Sequence, residues 1–189
     1  MSFKIEAYHG TTADVVEKLE VSRGFKESER DGLWLGTGAY FFESAPNQAL
    51  SWAVNAAADR GLEPVVIRAE IELNTYLDFS DRTYWSDLQL LYEDMRQNGE
   101  IRSQIGPLSL FVARLRRYEN FGHNLVDHDV VNRYVLSLEE SDEHDIKIDG
   151  IRCPFVRGKA IYDDSWFYTG SCIMVSVRNL GCIKSWDVV

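Results

Sequence analysis

The hydrophobic period of this chain changes twice, and that constrains its fold more than any single motif. Near the start, Phe3, Ile5 and Ala7 alternate with polar neighbours. The run "VVIRAEIEL" then sets Val65, Ile67, Ala69 and Ile71 against Val66, Arg68 and Glu70. Both patterns repeat every second residue, as a half-buried strand does. From Ile151 the segments "IRCPFV", "CIMVSVR" and "CIKSW" return to strand character. Between them, Leu88, Leu91, Tyr92 and Met95 keep helical spacing. Strands at both ends around a helical middle predict one α+β domain with a helical insertion at about 80–141. A chain of 189 residues is long enough for one full core.

Punctuation between these runs is clear at several points. Thr11 or Thr12 can cap a short helix carrying Val15, Val16 and Leu19. "GTGAYFF" reads as a turn feeding a strand. Pro46 suits the first turn of a helix through Leu50, Trp52 and Ala57, with Gly61 as its stop. In the middle block, Ser86 and Gln89 form a capping box. Pro107 starts a helix with Leu108, Phe111, Val112 and Leu115, and Asp127 caps another with Val131, Tyr134, Val135 and Leu138 facing inward. The acidic loop "EESDEHDIKIDG" closes the block.

Composition excludes some functions. Twenty basic and 30 acidic residues give a net charge of −10, which repels a phosphate backbone outside a local basic groove. Arg114, Arg116 and Arg117 beside Tyr118 are the basic cluster, read as a solvated helix face or as a contact surface for an anionic acceptor. No apolar run approaches the ~20 residues of a membrane span. The opening residues read as a strand and not as a signal peptide, so a cytoplasmic protein is expected. Cys153, Cys172 and Cys182 lack CxxC spacing and read as reduced thiols.

Several catalytic patterns are absent. "GTGAY" has a GxG, but it leads into an aromatic strand where a dinucleotide fingerprint opens a helix. His123, Asp127, His128 and Asp129 lack the HExxH pattern, so no metal site is expected. No GxSxG or cysteine–histidine signature points to a nucleophilic hydrolase. His144 reads as a solvated residue of the acidic loop.

Three segments in order, "YHGTT", "LWLGTGAYFFESAPNQALSWA" and "TGSCIMVSVRNLGCIK", carry a family resemblance. Together they resemble the ADP-ribosyltransferase superfamily on its diphtheria-toxin and poly-ADP-ribose-polymerase side. Uncharacterised bacterial and phage proteins of that fold are the nearer likeness. The resemblance runs from residue 5 to 186, with the insertion matched only in character, and implies a split β-sheet core. It further implies that NAD⁺ is bound by His9, Gly10, Thr11, Tyr40 and Trp52. His9 would donate to the adenosine ribose, and the Gly10 backbone would grip the nicotinamide carboxamide. Tyr40 and Trp52 would be the two walls around the ring.

The third segment departs from the family pattern. A glutamate or glutamine common on the late strand is replaced by Met174, which neither accepts a useful hydrogen bond nor offsets positive charge. The resemblance thus assigns His9, Tyr40 and Met174 to the catalytic positions. Glu43, Ser171 and Ser176 stand as groups that can compensate. The implied activity is transfer of single ADP-ribose units from NAD⁺ to a macromolecular acceptor, protein or nucleic acid. A toxin or antiviral defence role, with a neutralising antitoxin as partner and no membrane, follows by family analogy. An NAD⁺ glycohydrolase and a degenerate NAD-binding or interaction module remain the alternatives.

Overall fold

The computed structural model describes residues 2–28, 33–58, 60–101, 121–141 and 146–189, without the side chains of residues 121–124. They form two compact units. One comprises Met1–Glu27, Gly38–Ser80 and Ile148–Val189, the other Ser28–Thr37 and Asp81–Lys147. The helix expected from Pro107, the cluster Arg114, Arg116, Arg117 and Tyr118, His144 and the His123 side chain lie outside the described residues.

The first unit is a seven-stranded mixed sheet, so the α+β expectation is met. Its strands are β1 (Phe3–Thr12), β2 (Ala39–Glu43), β3 (Pro64–Leu73), β4 (Tyr76–Asp78), β5 (Gly150–Phe155), β6 (Cys172–Val177) and β7 (Ile183–Val188). Their order is β4-β5-β6-β2-β1-β3-β7. Only β4 and β5 run parallel; every other pair is antiparallel. The three-residue β4 escaped sequence reading because it is too short to establish alternation.

Two helices cover opposite faces of the sheet. The first, α1 (Ala13–Ser22), follows Thr12 as its N-cap. It packs Val16 and Leu19 on Ile67, the face that also carries Ala7, Phe41, Ala69, Ile71, Val175 and Val177. Pro46 opens α2 (Pro46–Ala58), which buries Ala49, Ala53 and Ala57 on the other face. That small-residue stripe, and not Leu50 and Trp52, is its core side; the latter two are each 46% exposed. Alanine at these positions lets the helix axis come close to the strands beneath.

In the second unit, α3 (Trp85–Gln97) and α4 (Phe121–Ser141) are the helices among the described residues. Two expected caps are corrected. Ser86 lies inside α3, because a 3-10 turn at Arg82–Tyr84 runs directly into it and takes its cap from Asp81. Asp127 lies within α4, whose start precedes it. The inward residues Val131, Tyr134 and Val135 are buried as expected. Burial and the Asp87 carboxylate, which accepts from the Tyr134 hydroxyl at 3.2 Å, push that phenol up to about 12. No helix among the described residues is long and apolar enough to cross a membrane.

Candidate functional site

The sheet opens between β1 and β2. Those strands pair only at Ala7↔Glu43 and Tyr8↔Phe42, whereas β1 follows β3 as far as Thr12↔Pro64. Beyond Phe42, β2 follows β6 through Phe41↔Val175, Tyr40↔Ser176 and Ala39↔Val177. The Ser44 amide donates to the Glu6 carbonyl at 3.1 Å. Alternation of peptide direction then turns the N–H and C=O of Glu6, Tyr8 and Gly10 toward β2. A continuous ladder would join the Gly10 amide to the Tyr40 carbonyl. That carbonyl instead accepts from His9 Nδ1 at 2.7 Å, and both peptide groups of Gly10 face the gap.

His9 bridges this opening from the α1 face. Its imidazole meets Phe25 edge-on, with ring centroids 5.5 Å apart, and lies 5.6 Å from Phe41. Burial lowers its pKa, against the opposing effect of the Tyr40 carbonyl, so the ring is neutral near pH 7. A carbonyl oxygen only accepts, which places the single proton on Nδ1. Nε2 is therefore an acceptor, and the expected donation from His9 to a ribose hydroxyl is reversed in direction.

Gly10 has a packing requirement as well. A Cβ on it would stand 2.0 Å from the Ala49 carbonyl oxygen, so α2 rests directly on the strand backbone. Trp52 is one turn along α2 from Ala49, beside Phe42 with ring centroids 6.4 Å apart, and remains half exposed. Tyr40 is partly buried and shares the α2 face with Phe42 by its place in the β2–β6 ladder. Tyr40, Trp52 and the Gly10 backbone are thus brought to one side of the opening. The His9 ring comes from the other side. Thr11, 7% exposed and opposite Val65, points to the α1 face away from the two aromatics.

Met174 is 7% exposed on the α2 face, between Phe42 and Cys153 in the ladder. It brings no polar atom to the site. The compensating groups divide. Glu43 sits on the α1 face and is gripped by Arg152, with Nε to Oε2 at 2.6 Å and Nη2 to Oε1 at 3.1 Å. Arg152 also donates to Asp78 Oδ2 at 3.0 Å, and its guanidinium lies over the Phe3 ring at 5.7 Å. Hydrogen bonding to Glu43 holds the Arg152 pKa up. Glu43 therefore closes an ion-pair network on the face opposite Met174. Ser176 is fully buried beneath Gly38, where a Cβ would approach its Oγ to 2.3 Å. Ser171 keeps its backbone carbonyl on Gln48 Nε2 at 3.3 Å.

"GTG" acts through its backbone: Gly36 and Gly38 have φ of 70° and 154°, which glycine adopts at little cost. In the helical unit, His128 Nδ1 donates to the Leu33 carbonyl at 3.1 Å and Nε2 accepts from Asn132 Nδ2 at 3.0 Å. Both nitrogens are committed, so His128 ties the Leu33 carbonyl to α4.

One polar centre had no sequence signal. The buried Asp149 carboxylate accepts from the Asn74 and Thr75 amides at 2.9 and 3.2 Å and from Asn179 Nδ2 at 2.7 Å. Burial would raise its pKa, yet these bonds and one from Cys182 hold it below the usual carboxylate range. In return burial, with Asp149 beside it, pushes the Cys182 thiol up to about 11. The partners are scattered along the chain, so no local motif announces the group. No protein-family model, curated protein or solved structure matches this chain.

Proposed function

We propose that this protein is a mono-ADP-ribosyltransferase of the ADP-ribosyltransferase-like fold, using NAD⁺ as substrate. The observation that carries the reading is the opening between β1 and β2, where the Gly10 peptide groups lose their ladder partner and His9 takes the Tyr40 carbonyl. A donor and an acceptor on one glycine match the carbonyl and amino groups of a carboxamide. Trp52 and Tyr40 supply aromatic surface on the same side, worth ~1 kcal/mol for each stacked contact beyond area burial. His9 Nε2, a neutral acceptor, suits a ribose hydroxyl.

In the reaction the bond from the ribose anomeric carbon to the pyridinium nitrogen breaks, and its electron pair leaves with neutral nicotinamide. The acceptor nucleophile bonds the same carbon and releases its proton to solvent. The cation-like transition state resembles that of glycoside cleavage. Without a polar group at Met174, the protein acts by holding the dinucleotide and placing the acceptor. This favours one transferred unit and slow hydrolysis. The buried methionine equally favours a second reading, an NAD⁺-binding module without turnover.

Incubation with labelled NAD⁺ and cell lysate, followed by protease or nuclease, separates these readings. Transfer to a macromolecule that His9→Ala abolishes is the expected result. Binding of NAD⁺ without product selects the module, and free ADP-ribose as the main product selects a glycohydrolase. A folded wild-type protein whose melting temperature does not respond to NAD⁺, and which makes no product, overturns the proposal.

A further inference from the structure

The connection between β5 and β6 carries the densest exposed apolar surface of the sheet unit. Val156, Ile161, Tyr162, Trp166 and Phe167 are 72, 54, 59, 90 and 66% exposed. The backbone of this loop is tied by hydrogen bonds along its length. The Ile161 amide donates to the Phe167 carbonyl at 3.0 Å, the Thr169 amide to Lys159 at 2.9 Å, and the Gly170 amide to Arg157 at 2.9 Å. Ser165, itself buried, bonds the Phe167 amide through Oγ at 2.9 Å. At the base, Gln48 Nε2 on α2 donates to the Thr169 and Ser171 carbonyls. The apolar side chains are therefore held outward by a preformed scaffold, which lowers the ordering cost of an interface.

We infer that this loop is a homodimer contact, its occupant the same loop of a second copy of the chain. Two features favour that occupant. Aromatic side chains bury ~150–250 Å² each when fully covered, so at their exposures Tyr162, Trp166 and Phe167 offer roughly 320–540 Å² per copy, and Val156 and Ile161 extend the patch toward the ~800 Å² per partner of a stable interface. The charges beside them are self-complementary. Lys159 stands on one arm and Asp163 and Asp164 at the turn, and none of the three makes an ion pair among the described residues. A two-fold axis through the apolar centre brings each arm onto the opposite turn, making the same contact twice. The net charge of −10 opposes self-association, but at 0.15 M salt it is screened beyond ~8 Å.

Sedimentation equilibrium of the full chain at 1–200 µM in 0.15 M salt tests the contact. Wild type is expected to dimerise, and Trp166→Ser/Phe167→Ser to weaken the dissociation constant at least tenfold with unchanged circular dichroism. Lys159→Glu alone and Asp163→Lys/Asp164→Lys alone should each be monomeric, while an equimolar mixture of the two forms a heterodimer with both charge contacts restored. A wild type that stays monomeric at 200 µM overturns the inference. So does a dimer indifferent to the Trp166/Phe167 variant, or a charge-variant mixture that remains monomeric. Flotation with phosphatidylserine vesicles that depends on Trp166 and Phe167 would assign the loop to a membrane surface and overturn it too.

Discussion

A methyl group on Gly10 tests how rigidly α2 rests on the sheet. The added Cβ would lie 2.0 Å from the Ala49 carbonyl oxygen, 2.9 Å from its carbon and 3.0 Å from the Ala53 amide nitrogen. All three atoms are helix backbone, so no side chain can swing aside. Even close carbon–oxygen contacts are ~3.3–3.6 Å, so α2 must withdraw by more than ~1 Å. That loosens Ala49 and Ala53, both fully buried. Overpacking typically costs ~1–3 kcal/mol, and a backbone clash sets Gly10→Ala at about 3. In a chain of this size each kcal/mol is worth ~2–4 °C, giving a fall of about 6–12 °C by differential scanning calorimetry. Gly181→Ala is the control: its Cβ meets only the Asn179 side-chain oxygen at 3.2 Å, and it should cost less than ~1 kcal/mol. If Gly10→Ala melts within 2 °C of wild type, α2 yields without cost and the close-approach argument is wrong.

Asp149→Asn keeps the shape but loses an acceptor, and hydrogen bonds to a charged group are worth ~1.5–3 kcal/mol; urea titration at pH 7 should show a loss of that order. Because the folded pKa of Asp149 is depressed, its contribution is complete above the unfolded value near ~3.9 and disappears as pH falls through the folded one. Wild type should therefore lose more stability than Asp149→Asn on going from pH 5 to pH 2, and equal losses would refute the assignment. His9 is also depressed, so wild type should lose more than His9→Gln as pH drops from 7.5 through the unfolded value of ~6.5; parallel stability curves would mean that His9 charges freely in the fold. Met174→Glu buries a carboxylate at a position only 7% exposed and should lower the urea midpoint; an unchanged midpoint would mean that the side chain at 174 reaches solvent.

What the sequence made legible was local. Pro46 announces its helix because proline geometry acts within one turn, and Thr12 takes the N-cap position although its hydroxyl donates to Asp14 and caps no amide; the β3 alternation survives because both its faces are distinct. Ser86 has a side chain that permits a cap, but α3 is entered through the turn that Asp81 caps, and Asp127 lies inside a helix that already runs from Phe121. Leu50 and Trp52 carry the hydropathy of α2, while its alanines do the packing. Gly10 and His9 were singled out in sequence, yet the opening they share depends on where β2 leaves β1. Beyond Phe42 the partner of β2 is β6, far along the chain. Glu43 and Asp149 acquire their meaning from Arg152 and Asn179, equally remote, and no reading of neighbours could supply it.

The interleaved strand order bears on how the chain is made. As translation proceeds, β1 and β3 can zip together once Leu73 has emerged, since their ladder needs nothing further. The apolar strand β2 cannot finish so early, because Ala39 to Phe42 pair with Val177 to Met174. At ~5–20 residues per second, the interval between emergence of these two segments is roughly 7–26 s. Throughout it the nascent chain presents the edge of Ala39, Tyr40, Phe41 and Phe42, a template for wrong pairing. The segment Ala39 to Phe42 is therefore the part of the nascent chain most open to mispairing until β6 leaves the ribosome.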